Sequence, residues 1–101
     1  AWVYVIRPDT YELLYINRKT MSLAPDGRVG MPCYKAYFHR DTPCGQCPAR
    51  AARENGGHAV MEMYNPQLQV WSEADASCIR WKGEEAVLLS CHDITQYKEN
   101  R

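Results

Sequence analysis

The sequence predicts an α+β domain built on a five-stranded antiparallel sheet, with short helices between its second and third strands. Two apolar runs rich in β-branched and aromatic residues, Trp2 to Ile6 and Leu13 to Ile16, flank a cluster of turn residues and predict a β-hairpin. Three further runs predict strands at 59–64, 70–81 and 86–92. Short turn sequences separate these last strands, which favours antiparallel pairing.

Helix signals occupy the middle of the chain. Asn17 can cap a helix over 18–24, because its side-chain oxygen can accept a free N–H of the first turn. Pro48 fits the first turn of a helix over 49–55, where its missing N–H costs no hydrogen bond. The stretch 29–40 is compatible with one or two interrupted helical turns. We therefore expect several short helices between two groups of strands.

Composition limits the classes of function. The chain of 101 residues is predicted to form one domain, and its 46% apolar and 24% charged residues are typical of a globular protein. The 12 basic and 12 acidic residues balance, so the sequence lacks the charge excess expected of a nucleic-acid-binding surface. No apolar run approaches the roughly 20 residues of a membrane-spanning helix, so we expect no membrane insertion by this segment.

Two features of the sequence concern the parent protein and its cellular location. The chain starts at Ala1 and ends in the helix-like stretch 96–101, so we expect residues 1–101 to be a single domain cut from a larger signalling protein. The five cysteines are an odd number, which disfavours a fully paired disulfide scaffold. We therefore expect a cytoplasmic location.

The element order resembles that of PAS domains, the sensor modules of bacterial signalling proteins. The resemblance covers nearly the whole chain and rests on four segments: Tyr4-Val5-Ile6, Leu14-Tyr15-Ile16-Asn17, Val29-Gly30 and Asp93-Ile94-Thr95. It implies strand order 2-1-5-4-3, helices on one face of the sheet and a small internal cavity. The family also commonly forms homodimers and passes a signal to a covalently linked effector domain.

Asp93 and Thr95 are the candidate signal-relay residues. They lie where the last strand passes into an outgoing helix, and their side-chain oxygens can accept N–H groups of its first turn. The same residues are also compatible with an ordinary helix cap that carries no signal.

Three cysteines form the most informative chemical pattern. Cys33 precedes a Cys-x-x-Cys pair, Cys44 and Cys47, and the pair is bracketed by prolines. The pattern resembles a subset of PAS domains found in histidine kinases of two-component systems, cyclic-di-GMP (GGDEF) enzymes and enhancer-binding regulators. We predict that the three thiols meet at the start of the helix after Pro48 as a metal or redox site, with packing alone as the alternative.

The sequence does not identify a cofactor. Zinc or an iron–sulfur cluster would need a fourth ligand, for which His39, Cys78 and Cys91 are the candidates. The resemblance implies that Cys91, two residues before Asp93, faces the cavity, and strand parity places Cys78 on the small-residue face of its strand. Buried cysteines commonly pack as small hydrophobic residues, and we expect that role for both sheet cysteines.

Several enzyme classes are disfavoured. A thiol oxidoreductase using Cys44 and Cys47 would place its motif directly after a buried strand, whereas the preceding segment here is predicted to be helical or irregular. No haem is expected, because Pro48 stands where covalent haem needs His and the helix after Cys47 contains no His. No flavin is expected, because the flavin-adduct signature of the light-sensing relatives is absent. The prediction is a non-enzymatic sensor of a small ligand, metal or redox state. The opposing alternative is a dimerisation module without a ligand.

Overall fold

A computed structural model describes residues 1–99, which form a five-stranded antiparallel sheet and four short helices. The strands are β1 (Trp2–Ile6), β2 (Leu13–Ile16), β3 (His58–Asn65), β4 (Val70–Trp81) and β5 (Glu84–Asp93). The helices are α1 (Arg18–Leu23), α2 (Cys33–Phe38), α3 (Pro48–Glu54) and α4 (Thr95–Glu99). The strand order β2-β1-β5-β4-β3 confirms the predicted fold class.

Asn17 joins the first hairpin to α1. Its Oδ1 accepts the backbone N–H of Thr20 at 3.0 Å, as an N-cap does, and also the N–H of Val3 at 3.2 Å. The Thr20 hydroxyl donates to the same oxygen at 2.6 Å. The predicted cap is therefore confirmed, and the same side chain additionally fixes α1 against β1.

The long central hairpin is formed by β4 and β5. The two residues between them, Lys82 and Gly83, have φ angles of 51° and 84°, which is the geometry of a type I′ turn. Such a turn matches the right-handed twist of its strands, so pairing begins immediately at Trp81 and Glu84. Strand β5 therefore starts at Glu84, two residues before the start that the pattern of apolar residues predicts.

Two prolines set the starts of the middle helices. Pro32 is the N-cap of α2, so it begins this helix rather than interrupting it. Pro48 occupies the first turn of α3, as predicted, with Cys47 as the N-cap. The longest helix described, α3, has seven residues, and no helix within residues 1–99 is long and apolar enough to span a membrane.

The main core lies between one face of the sheet and the first three helices. Ala49 and Ala52 of α3 are almost fully buried, and their small side chains allow this helix to pack closely on the sheet. The largest fully buried side chains are Ile6, Leu13, Val5 and Val87. Burying a side chain of this size stabilises the fold by about 1.5–3 kcal/mol.

Candidate functional site

A cavity of about 50 Å³ lies between the sheet and the helices α1 and α2. Trp2 and Met63 supply much of its apolar wall from the sheet, and Leu23 closes it from α1. Val70 and Ser72 of β4 form another part of the wall. None of the described residues that line it is Asp, Glu, Lys, Arg or His. The cavity is thus small, mostly apolar and uncharged.

Two tyrosines stand at the inner wall of this cavity. The rings of Tyr4 and Tyr37 are 5.0 Å apart between centroids and are inclined at 56°. Tyr37 is 6% exposed, and its hydroxyl has no hydrogen-bond partner among residues 1–99. Burial raises the pKa of Tyr37 well above its ordinary value, so this hydroxyl stays protonated at neutral pH. An unpaired buried hydroxyl is unusual and costs stability.

Cys91 lines the cavity, as the resemblance to PAS domains implies. Burial raises the pKa of its thiol to about 11, an effect partly opposed by a hydrogen bond from the Tyr4 hydroxyl. The thiol is therefore neutral at physiological pH. Its 6% exposure and neutral state fit the expected role of a small packed residue at the cavity wall.

The cavity wall is joined to the outgoing helix α4 at Trp71. The backbone N–H of Trp71 donates to the Thr95 hydroxyl at 2.9 Å, and its carbonyl accepts the N–H of Ile94 at 2.9 Å. The two residues on either side of Trp71, Val70 and Ser72, line the cavity. The cavity wall and the residues that begin α4 are thus connected through the backbone of Trp71.

The Trp71 ring also contacts α4. The Lys98 ammonium lies 4.6 Å from its ring centroid and is 2.7 Å from Glu62 Oε1 on the neighbouring strand. Asp93 Oδ1 accepts the N–H of Thr95 at 2.9 Å, which confirms Asp93 as a cap of the outgoing helix. The prediction that the Thr95 oxygen caps the same turn is wrong, because that oxygen instead accepts the N–H of Trp71.

Two arginines hold the loop that carries the cysteine pair. Arg50 of α3 donates to the carbonyls of Cys44 and Gly45 at 3.2 and 2.6 Å. Arg40 donates to the carbonyls of Thr42 and Pro43. These bonds satisfy four consecutive carbonyls, from Thr42 to Gly45, and attach the loop to α3 through Arg50.

The three cysteines of the motif lie in one region but face different surroundings. Cys33, the first residue of α2, and Cys47, the N-cap of α3, pack against the main core. Cys44 instead lines an open groove beside β3, together with Phe38 and Trp71. The pKa of Cys33 is raised to about 12, mainly by burial and to a smaller extent by the neighbouring thiols of Cys47 and Cys44. Burial, together with Cys47, also raises the pKa of Cys44.

The described part of the chain contains no group of three or more His, Cys, Asp or Glu side chains arranged to hold a metal ion. All five cysteines are free thiols. His39 is exposed at the C-terminal end of α2, whereas Cys33 begins that helix. The structure thus places His39 and Cys33 at opposite ends of α2, and the metal site stays a prediction.

The expectation that Cys78 packs as a buried residue is wrong. Its side chain is exposed, although Ala74 and Ala76 of the same strand face are almost fully buried. Helix α3 ends at Glu54 and does not reach Cys78. The residue beside Cys78 is Gly57, whose carbonyl accepts the Cys78 N–H at 2.8 Å. Because glycine has no side chain, nothing covers this thiol from that residue.

Sequence reasoning missed the tyrosine pair and the contacts of Lys98. Tyr37 shares one face of α2 with Cys33, four residues earlier, so the helical spacing of apolar residues could have identified it as a core position. Lys98 gave no comparable signal, because its contacts are with distant strands.

The chain matches no family model and no curated protein.

Proposed function

We propose that the chain is a PAS-type sensor domain that passes a change at its cavity to an effector through the start of β4 and helix α4. The observation that carries the proposal is the position of Trp71. Its flanking residues line the cavity, and its backbone holds Ile94 and Thr95 through hydrogen bonds. The cavity wall and the outgoing helix therefore share one short segment of strand.

The proposed biological role is regulatory rather than catalytic. A histidine kinase, a cyclic-di-GMP enzyme or a transcriptional regulator is the proposed effector, acting in the bacterial cytoplasm as a homodimer. Two aromatic pairs on the outer part of the sheet, Tyr64 with Trp71 and Tyr15 with Trp81, offer contact area of the kind enriched at protein interfaces. A dimerisation module without a ligand would use the same surface but would not couple the cavity to α4.

A redox or metal signal at the cysteines is the second proposed input. Its support is that Cys33 and Cys47 pack against the same core cluster and that Cys47 raises the pKa of both Cys33 and Cys44. The raised pKa of Cys33 opposes this input, because metal binding and disulfide exchange both need the thiolate. We therefore propose the cavity, rather than the cysteines, as the main site of signal input.

A matched pair of variants on α1 tests the coupling. Leu23→Ala enlarges the cavity from its α1 wall, whereas Met21→Ala removes a side chain of the same helix that is 48% exposed. We expect Leu23→Ala to shift the amide resonances of Trp71 and Lys98 in NMR spectra, and Met21→Ala to leave them in place.

A second step locates the route of the signal. Adding Thr95→Val to Leu23→Ala removes the hydroxyl that accepts the Trp71 N–H, so the shift at Lys98 should shrink. The proposal fails if Leu23→Ala moves Lys98 no more than Met21→Ala does. It also fails if the Lys98 shift persists in full without the Thr95 hydroxyl.

A further inference from the structure

The chemistry of the cavity wall restricts what it can bind. Its described lining includes no residue that is charged at neutral pH, since burial raises the pKa of Cys91 to about 11 and keeps Tyr4 protonated. An ion entering this space would lose its hydration without meeting an opposite charge, which is strongly unfavourable. The cavity therefore selects against charged molecules.

Its size sets a second limit. A volume of about 50 Å³ exceeds the roughly 10–15 Å³ that one water needs but is far below the roughly 300–1,000 Å³ of drug-sized sites. The apolar side chains of Trp2, Leu23 and Met63 favour a compact organic molecule over a cluster of waters. A molecule of a few heavy atoms matches this space.

One polar group on the wall is open to such a molecule. Ser72 faces the cavity, and its hydroxyl has no hydrogen-bond partner within residues 1–99. It is not among the fully enclosed polar atoms, unlike the Tyr37 hydroxyl. Ser72 also pairs with Asp93 across β4 and β5, next to the start of α4.

We propose that this cavity binds a small uncharged organic molecule carrying one oxygen atom, such as a ketone or an alcohol, which hydrogen-bonds to Ser72. The ligand class rests on the proposed sensor function and adds to it the chemical identity of the signal. A ligand bound in this way contacts the residue that follows Trp71, so binding and relay involve the same strand segment.

Three probes test the ligand class by NMR titration of the 101-residue chain. Acetone is uncharged and carries an acceptor oxygen, acetate has nearly the same shape but is charged, and xenon is apolar. We expect acetone and xenon to shift the Met63 and Leu23 methyl resonances saturably. Acetate should produce no saturable shift at the same concentrations. Equal binding of acetate and acetone, or no saturable binding of acetone, would overturn the proposal.

Variants of two serines on β4 test the proposed hydrogen bond. Ser72→Ala should weaken acetone binding roughly five-fold, the loss typical of one neutral hydrogen bond, and should leave xenon binding unchanged. Ser77→Ala is the control, because this serine has the opposite strand parity and faces away from the cavity. Unchanged acetone affinity in Ser72→Ala would overturn the assignment.

The outcome is separable from that of the sensor proposal. If acetone binds as expected but the Lys98 amide does not respond, the ligand class stands and the relay fails. If acetone does not bind saturably, or binds no better than acetate, while Leu23→Ala still shifts the Lys98 amide resonance, the relay stands and the ligand class is wrong.

Discussion

Trp71 and Thr95 are joined by two hydrogen bonds, although they lie 24 residues apart in sequence. The Trp71 N–H donates to the Thr95 hydroxyl at 2.9 Å, and that hydroxyl in turn donates to the Trp71 carbonyl at 3.4 Å. Both backbone groups of Trp71 thus bond to one side chain, and the carbonyl also accepts the Ile94 N–H at 2.9 Å. The first residue of α4 is therefore attached to the sheet by its side chain as well as by the chain itself.

Thr95→Val should reduce the free energy of unfolding by about 1–2 kcal/mol. Valine keeps the shape of threonine but cannot accept the Trp71 N–H, and an unpaired, partly buried N–H carries a cost of this size. Denaturant titration measures the change. Thr95→Ser retains the hydroxyl and is the control, which should stay within about 0.5 kcal/mol of the wild type. Equal losses in the two variants would refute the importance of this hydrogen bond.

Tyr37→Phe should stabilise the ligand-free protein by about 1 kcal/mol. The substitution removes a buried hydroxyl that has no partner among residues 1–99, so the protein no longer bears the cost of desolvating it. Tyr15→Phe, on a ring that is 40% exposed, is the control and should leave stability unchanged. Thermal unfolding checks both variants. A clear loss of stability in Tyr37→Phe would show that the hydroxyl has a partner in solution.

The carboxylate of Asp93 should stabilise the fold only above acidic pH. Hydrogen bonds from Thr95 lower the pKa of Asp93 in the folded state. Such a group stabilises the fold at pH values above its pKa in the unfolded state, which is about 3.9. This contribution is lost as the pH falls through the lower pKa of the folded state. The stability difference between wild type and Asp93→Asn should thus be constant from about pH 5 to 7 and shrink below about pH 4.

A pH series of denaturant titrations measures this difference. Asp41→Asn, which removes one exposed carboxylate from a loop, controls for the change in net charge. An undiminished difference between wild type and Asp93→Asn in strong acid would contradict the assigned role of the carboxylate.

The cysteines should differ widely in their rate of alkylation. Burial raises the pKa of Cys33 to about 12 and that of Cys91 to about 11, whereas Cys78 is exposed. Because only the thiolate reacts, iodoacetamide near pH 8 should modify Cys78 first and these two buried residues last. Mass spectrometry of timed samples reads the order, and unfolding in guanidinium should abolish it. Early modification of Cys33 would instead favour a reactive or metal-binding role for the motif.

Local sequence signals were sufficient for most of the fold. The Asn17 cap, the proline at the start of α3 and the alternating residues of β4 each act over a few neighbouring positions, so the pattern specifies them directly. The role of Pro32 was harder to predict, because a proline can interrupt a helix or precede one. The structure shows that it precedes α2.

The site was less predictable because its contacts join distant segments. The Asp93 cap depends on a residue two positions away and was predicted, whereas the Thr95 hydroxyl is used by Trp71, 24 residues earlier. The exposure of Cys78 likewise depends on where α3 ends, which the alternation of β4 does not encode. Spacing of the cysteines alone could not show that Cys44 faces a different surface from Cys33.

Xenon titration of the unmodified chain tests the coupling of cavity and helix most directly. The methyl resonances of Met63 and Leu23 report occupancy of the cavity, and the amide resonances of Trp71 and Lys98 report the start of β4 and α4. If the cavity wall transmits its displacement to α4, all four should shift with the same dependence on xenon concentration. Saturation of the methyl resonances while the Trp71 and Lys98 amides remain in place would contradict the coupling.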